Sequence, residues 1–187
     1  EYPFQPLARR LLEILERYGG KNTLSNCPHC FNTLKNEYPQ FGGNYEVIHA
    51  AQFVQQLIRE GKIALAQELP GKVTYHDSCY YGRYNQVYDA PREVIQGIRG
   101  AQLQEMDASH NQALCCGAGG GWMWMEEPKD KRVNYIRVQQ ALETTPDIIA
   151  VSCPYCMTMM EDGLKAKGMD EKVKTLDVME LVERAMK

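Results

Sequence analysis

Leu7, Leu11, Leu12 and Leu15 recur at helical spacing through PLARRLLEILERYG, and the run stops at Gly19-Gly20, so the pattern predicts an amphipathic helix with a glycine end. NTLSN then leads into CPHC, followed by a polar helix near residues 30–38, an extended YEVIH and a second helix, AAQFVQQLIRE, closed by Gly61. The same order returns near the other end. VNYIRVQQALETT reads as a helix, DIIAVS as a strand, CPYC as a turn, MTMMEDGLKAKG as a helix, VKTLD as a strand and VMELVERAM as a last helix. Between these blocks, GKVTYHD is a predicted strand after the Pro70-Gly71 turn, DAPREVIQGIRG a helix opened by Asp89 and Pro91, and AQLQEMD another strand.

The two blocks keep register. Cys27 and Cys30 map onto Cys153 and Cys156 at a shift of 126, and His49 maps onto Asp177 at 128, which predicts an internal duplication. From residue 71 onward four strands are expected, at 73–76, 103–106, 148–151 and 173–176. Strands that alternate with helices need crossover connections, so the predicted class is α/β, a small parallel sheet flanked by helices and preceded by part of a second, similar repeat.

Composition narrows the function classes. A formal charge of -3 and a pI near 5.9 leave no basic footprint for nucleic acid. No apolar stretch approaches the ~18 residues of a membrane span, and no charged-then-apolar start suggests a signal peptide. Seven cysteines, at 27, 30, 79, 115, 116, 153 and 156, cannot all pair internally. A reducing, cytoplasmic setting with metal ligation fits that odd count better than a secreted disulfide framework.

Placement sharpens the point. Cys79 follows the first of the four strands, Cys115 and Cys116 lie in the loop after the second, and Cys153 with Cys156 follow the third. Loops leaving the carboxyl ends of parallel strands lie along one edge, where ligands bind, so five thiols are expected to converge there. The adjacent pair is poorly placed to close on itself, because consecutive alpha carbons sit ~3.8 Å apart and a disulfide prefers ~5.5–6 Å. Structural zinc takes four ligands and has no use for a fifth sulfur. Iron-sulfur clusters are held by thiolates throughout, and a thiolate can bridge two irons, so iron is the preferred metal and zinc the alternative.

Cys79, the Cys115-Cys116-Gly117 triplet and Cys153-Cys156 resemble the CCG, or cysteine-rich, domain found in heterodisulfide reductases and in the iron-sulfur component of glycolate oxidase. YHDSCYYGRYNQVYDAPREV and CCGAGGGWMWMEE look most similar to membrane-associated iron-sulfur reductases that pass electrons from flavoproteins toward quinones. The resemblance runs from about Lys72 onward. It implies a complete Rossmann-like CCG domain over 71–187, and over 1–70 the closing part of a first repeat whose opening cysteine and CC pair lie upstream of Glu1. Cys27 and Cys30 are then candidate ligands of an incomplete first site. The resemblance further implies a 4Fe-4S cluster, of non-cubane type in heterodisulfide reductase and replaced by an ordinary cluster or zinc in other relatives. Its implied partners are a flavoprotein or iron-sulfur protein and a membrane anchor, either upstream or on a separate chain, with a quinone or a disulfide as acceptor, at the cytoplasmic face of a membrane. Direct disulfide reduction at the cluster and a zinc-stapled interaction module are the alternative functions.

Residues around the thiols carry further expectations. Gly117, Gly119, Gly120 and Gly121 would let main-chain N–H groups approach sulfur, which eases added negative charge. His76 is the one candidate catalytic residue, as a proton donor, against a plainer role as a hydrogen-bonded cap at the strand end. Arg83 is expected to offset thiolate charge, to bind a partner, or to stay solvated. Trp122, Met123, Trp124 and Met125 are expected to exclude water beside the site or to form a partner surface. His29 and Tyr155 read as structural, and Met157 to Met160 as core filler.

Overall fold

Leu7 and Leu11 drew attention to the first helix, yet both stay exposed. The computed structural model describes residues 3–128 and 131–186. In it α1 (Phe4–Arg17) buries Ala8 and Leu12 against Tyr38, a small satellite core. β1 (Asn22–Ser25) runs into CPHC, and α2 (Pro28–Asn32) opens with Pro28, a position where the missing N–H costs nothing.

The helix expected near 30–38 is not one α-helix. After Asn32 it widens into a π-helical turn, Thr33–Glu37, and then tightens into a 3-10 turn, Tyr38–Phe41. Pro39 accounts for the break, since proline donates no N–H and crowds the carbonyl four residues back. Side-chain bonds from Asn32 to Glu37 and from Asn36 to Asn32, both 2.9 Å, hold the irregular turn. β2 (Glu46–His49) pairs in parallel with β1, and α3 (Ala50–Arg59) follows with the His49 Nδ1 accepting the Ala51 N–H at 3.3 Å.

The second sheet has four parallel strands, β3 (Gly71–Tyr75), β4 (Ala101–Leu103), β5 (Ile148–Val151) and β6 (Lys174–Asp177), in the order β4-β3-β5-β6. Its helices are α4 (Asp89–Gln96), α5 (Val133–Glu143), α6 (Pro154–Ala166) and α7 (Val178–Met186). α3, α4 and α7 pack together on one face, and α5 and α6 on the other. β5 shows why its sequence is a continuous apolar run: Ile148 and Ala150 enter the core under the first set of helices, Ile149 and Val151 the core under the second.

One strand lies elsewhere than expected. β4 occupies 101–103, not 103–106, because Gly100 turns into it at φ +84, a backbone shape that glycine accepts readily. The Gln104 N–H still bonds the Val73 carbonyl, but the chain then leaves the sheet edge and Met106 drops into the core beside α5 and α6.

The order of events around the two CPxC turns does recur. β1, α2, β2 and α3 are matched by β5, α6, β6 and α7, and Asp177 caps the last helix by accepting the Met179 N–H at 2.9 Å, as His49 caps α3. The strand order reverses between β3 and β5, and the crevice at the carboxyl ends of those two strands is the binding position of an open α/β sheet.

Candidate metal centre

All five thiols predicted to share a site come to that crevice. β3 ends at Tyr75, and His76, Asp77 and Ser78, all buried, carry the chain to Cys79. The long loop after β4 returns to deliver Cys115 and Cys116. β5 ends at Val151, Cys153 precedes the first turn of α6, and Cys156 lies inside that turn. The sulfurs form one electrostatically connected series in which Cys79 interacts with Cys115, Cys115 with Cys116, Cys116 with Cys156 and Cys156 with Cys153. Cys116, Cys153 and Cys156 are buried, while Cys79 and Cys115 are partly open to solvent. Gly117 makes the CC turn possible: its φ is +88, and a Cβ there would stand 3.1 Å from the Val133 Cβ and 3.3 Å from the Asn134 nitrogen.

Charge alternates along the series. The Cys115 sulfur takes hydrogen bonds from Cys116, Cys79 and the Gly117 N–H, the last at 3.4 Å, and these hold it far below the ordinary thiol range. Cys79 moves up because of that same bond to Cys115, then because of burial. Cys116 is raised to about 12 by its bond to Cys115, although Cys156 and the Ala118 N–H favour its thiolate. Cys153 falls to about 5 through its bond from Cys156, helped by His29 and the Cys156 N–H against the effect of burial. Cys156 is raised well above its usual value by Cys116 and Cys153. Thiolate character therefore sits at Cys115 and Cys153, and a bound metal would displace the protons still shared by the others.

His76 is fully buried and stands against this group. Its nearer nitrogen and the Cys116 and Cys156 sulfurs lie within 4.8 Å of one another. Its Nδ1 accepts the Arg137 Nε–H at 3.0 Å, and burial, then the Arg137 charge, holds its pKa down at about 3. Arg137 is also fully buried, and nothing in the sequence sets it apart from an ordinary polar residue of a surface helix. Asp77 receives both Arg92 nitrogens at 2.8 and 2.9 Å and the His110 N–H at 2.8 Å. Arg83 is exposed, and its Nη1 donates to the Ala113 carbonyl at 2.7 Å, which ties the Cys79 turn to the loop that leads into Cys115.

The first CPxC turn abuts the second. His29 lies with its Nδ1 3.9 Å from the Cys27 sulfur, and the hydrogen bonds it donates to Cys153 and Cys27 raise its pKa to about 9. Its ring packs between Tyr80, at 4.3 Å, and Tyr155, at 5.2 Å. Burial raises the Cys27 thiol, but the bond to His29 and the N–H groups of Cys30 and His29 outweigh it and leave Cys27 below its usual value. Cys30 is exposed and is raised by burial of its sulfur and by the charge of Cys27. So Cys27 and Cys30 do not join the five-thiol series directly; His29 stands between Cys27 and Cys153. A hollow of about 290 Å³ opens beside them, lined by His29, Tyr155, Met123, Trp124 and the glycine turn.

The aromatic run after the glycines divides. Met123 packs against the core that holds Cys116 and Cys153, whereas Trp124 is 83% exposed and Trp122 50%. Water exclusion on that side therefore rests on Met123, and the indoles face outward. Met159 and Met160 are core residues, as expected of that run. Among the described residues, no helix is long and apolar enough to cross a membrane.

The donor set is what a thiolate-held metal group requires: five converging sulfurs, main-chain N–H groups on three of them, and a buried guanidinium one imidazole away. Comparison with known proteins agrees. Residues 73–161, a stretch that contains all five thiols, match the model of the cysteine-rich domain family, CCG. Along its full length the chain is 46% identical to the "Probable iron-sulfur-binding oxidoreductase FadF" of Bacillus subtilis (strain 168) and 45% identical to the "EtfAB:quinone oxidoreductase" of Syntrophomonas wolfei, and it spans 26% and 27% of those proteins. Over 96% of its length it is 38% identical to a component of the dihydromethanophenazine:CoB--CoM heterodisulfide reductase of Methanosarcina barkeri, of which it covers 44%. The chain thus corresponds to between about a quarter and a half of these relatives.

Proposed function

We propose that this chain is a domain of an iron-sulfur electron-transfer oxidoreductase and that Cys79, Cys115, Cys116, Cys153 and Cys156 hold one cluster. The observation that carries the reading is the unbroken contact of five thiols brought from three loops to the switch point of the sheet. A bound cluster supplies one-electron chemistry, and the protein fixes its ligands, hydrogen bonds and access to water. The iron-sulfur names of the relatives favour iron over zinc. Five sulfurs, one more than a cubane's four irons need, favour a four-iron cluster of non-cubane type.

Residues 1–70 are read as the closing part of a similar unit and 71–187 as a whole one, a division supported by the recurring order around each CPxC turn. Cys27 and Cys30 would then be ligands of an incomplete first site. Electrons would come from a flavoprotein or iron-sulfur partner and pass to a quinone or a disulfide, with a membrane association supplied outside the described residues. The names of the relatives, which include a quinone oxidoreductase, a heterodisulfide reductase and a "Probable membrane-anchored ferredoxin", support this assignment.

Anaerobic purification followed by iron and acid-labile sulfide analysis tests the proposal. Brown protein with about four irons and matching sulfide per chain is the expected result for one four-iron cluster. Colourless, iron-free protein with stoichiometric zinc would overturn it.

A further inference from the structure

Arg137 presents a puzzle. It is fully buried, and none of the ion pairs among the described residues includes it. Nη1 donates to the Ala108 carbonyl at 2.9 Å and to the Gln140 Oε1 at 2.8 Å, Nε donates to the His76 Nδ1 at 3.0 Å, and Nη2 has no partner. The carboxylate whose field it feels, Asp77, is already gripped by Arg92. Leaving a guanidinium charge in the interior without an anion is costly, so an offsetting negative charge is expected close by. The thiol group behind His76 is the candidate.

Chemistry then fixes the imidazole. An arginine nitrogen can only donate, so the His76 Nδ1 must accept, and in a neutral ring the proton must sit on Nε2. That Nε2 is buried and has no hydrogen-bond partner, and one nitrogen of the same ring lies within 4.8 Å of the Cys116 and Cys156 sulfurs. A metal bound at Nε2 would need the same lone pair that the proton occupies, so the guanidinium bars His76 from ligating even though its distance would allow it.

We propose that His76 serves the thiol site as a neutral hydrogen-bond donor, its Nε2–H directed at sulfur, and that Arg137 is the positioning residue that fixes this tautomer and supplies the buried positive charge. The pair is neither a metal ligand nor a proton source. A donor aimed at sulfur, backed by a fixed cation, favours the more negative, reduced state of a group held there, so the pair raises its reduction potential. This step rests on the cluster reading above for its effect on potential, but not for the tautomer.

Two measurements test it. In the metal-free chain with 15N-labelled histidine, the long-range 1H–15N spectrum should show His76 as the Nε2–H tautomer, and Arg137→Met should abolish that preference; an Nδ1–H tautomer in the unaltered chain overturns the proposal. In the iron-loaded chain, a potentiometric titration followed by electron paramagnetic resonance should give a lower midpoint potential for His76→Leu and Arg137→Met. His76→Gln, which keeps an acceptor for Arg137 and a donor for sulfur, should return the midpoint toward that of the unaltered chain. Unmoved midpoints, no recovery in His76→Gln, or the strong nitrogen coupling of a directly ligated imidazole would each overturn it. A chain that binds no iron sinks the cluster reading, while the tautomer is still decided on the metal-free chain.

Discussion

Arg92 is the residue on which the approach to Cys79 depends. One edge of its guanidinium holds Asp77, and the other holds Glu105 at 2.7 and 2.9 Å, so a single side chain of α4 joins the end of β3 to the loop leaving β4. Removing it would strand a buried carboxylate. Arg92→Met should therefore destabilise the fold by about 3–5 kcal/mol in urea unfolding, whereas a loss under about 1 kcal/mol would show that Asp77 finds other partners. Asp177 is the opposite case: burial, more than anything its Met179 and Asn26 partners offset, pushes its carboxyl from 3.8 up to about 6. Between those values the folded chain keeps a proton that the unfolded chain has released, so this group's contribution to stability falls as pH rises, by about 3 kcal/mol in all. Asp177→Asn keeps the Oδ1 acceptor for the cap. Its stability relative to the unaltered chain should rise by that amount from pH 3 to pH 7, and a flat difference would show that Asp177 is unperturbed. The sequence reveals thiols at this scale because cysteine is rare and its spacing is distinctive. It hides Arg137 and Arg92, because each lies on a helix and acquires its meaning from a partner, at position 76 or 77, that only the folded sheet brings near.

At the scale of elements, periodicity located nearly every helix and strand, and it failed where a local backbone event outweighed the pattern. Pro39 breaks the helix expected near 30–38, and the departure of the chain after Gln104 shortens and shifts β4. Helix faces were less legible than helix positions: of the leucines that mark α1, Leu12 is buried while Leu7 and Leu11 stay exposed, since what the helix buries is set by the neighbouring turn around Tyr38. The contact of α5 with α6 was not legible at all. It depends on Gly163, where a Cβ would stand 2.5 Å from the Val138 Cγ2 and 3.2 Å from the Asn134 carbonyl oxygen. Alanine is the better helix former by about 1 kcal/mol, but a clash confined between a side chain and a backbone atom should win. Gly163→Ala is expected to lower stability by about 1–2 kcal/mol net. Val138→Ala should cost stability alone yet recover part of the loss when combined with it, a coupling that a double-mutant cycle in urea would measure. Simple additivity would mean that the helices part without resistance.

Over the whole molecule, the two CPxC turns were the legible sign of a repeated order, and the sheet's switch point explains why three distant loops meet. What spacing alone did not show is the asymmetry between the turns. The second completes a series of five sulfurs, whereas the first meets that series through an imidazole, with Cys27 and Cys153 on either side of His29. If the five-thiol site is self-sufficient, then loss of both Cys27 and Cys30 should leave its metal in place. Cys27→Ser combined with Cys30→Ser is accordingly expected to keep the iron-to-protein ratio of the unaltered chain. Cys116→Ser, which cuts the series between Cys115 and Cys156, should lose most of the iron under the same reconstitution. Because His29 loses one of its two sulfur partners in the double variant, the environment of Cys153 should still change, visible as a shift in the electron paramagnetic resonance spectrum without loss of intensity. Equal loss of iron from both variants would show instead that the first turn takes part in holding the same metal, and the five-thiol boundary drawn around the site would have to widen to include it.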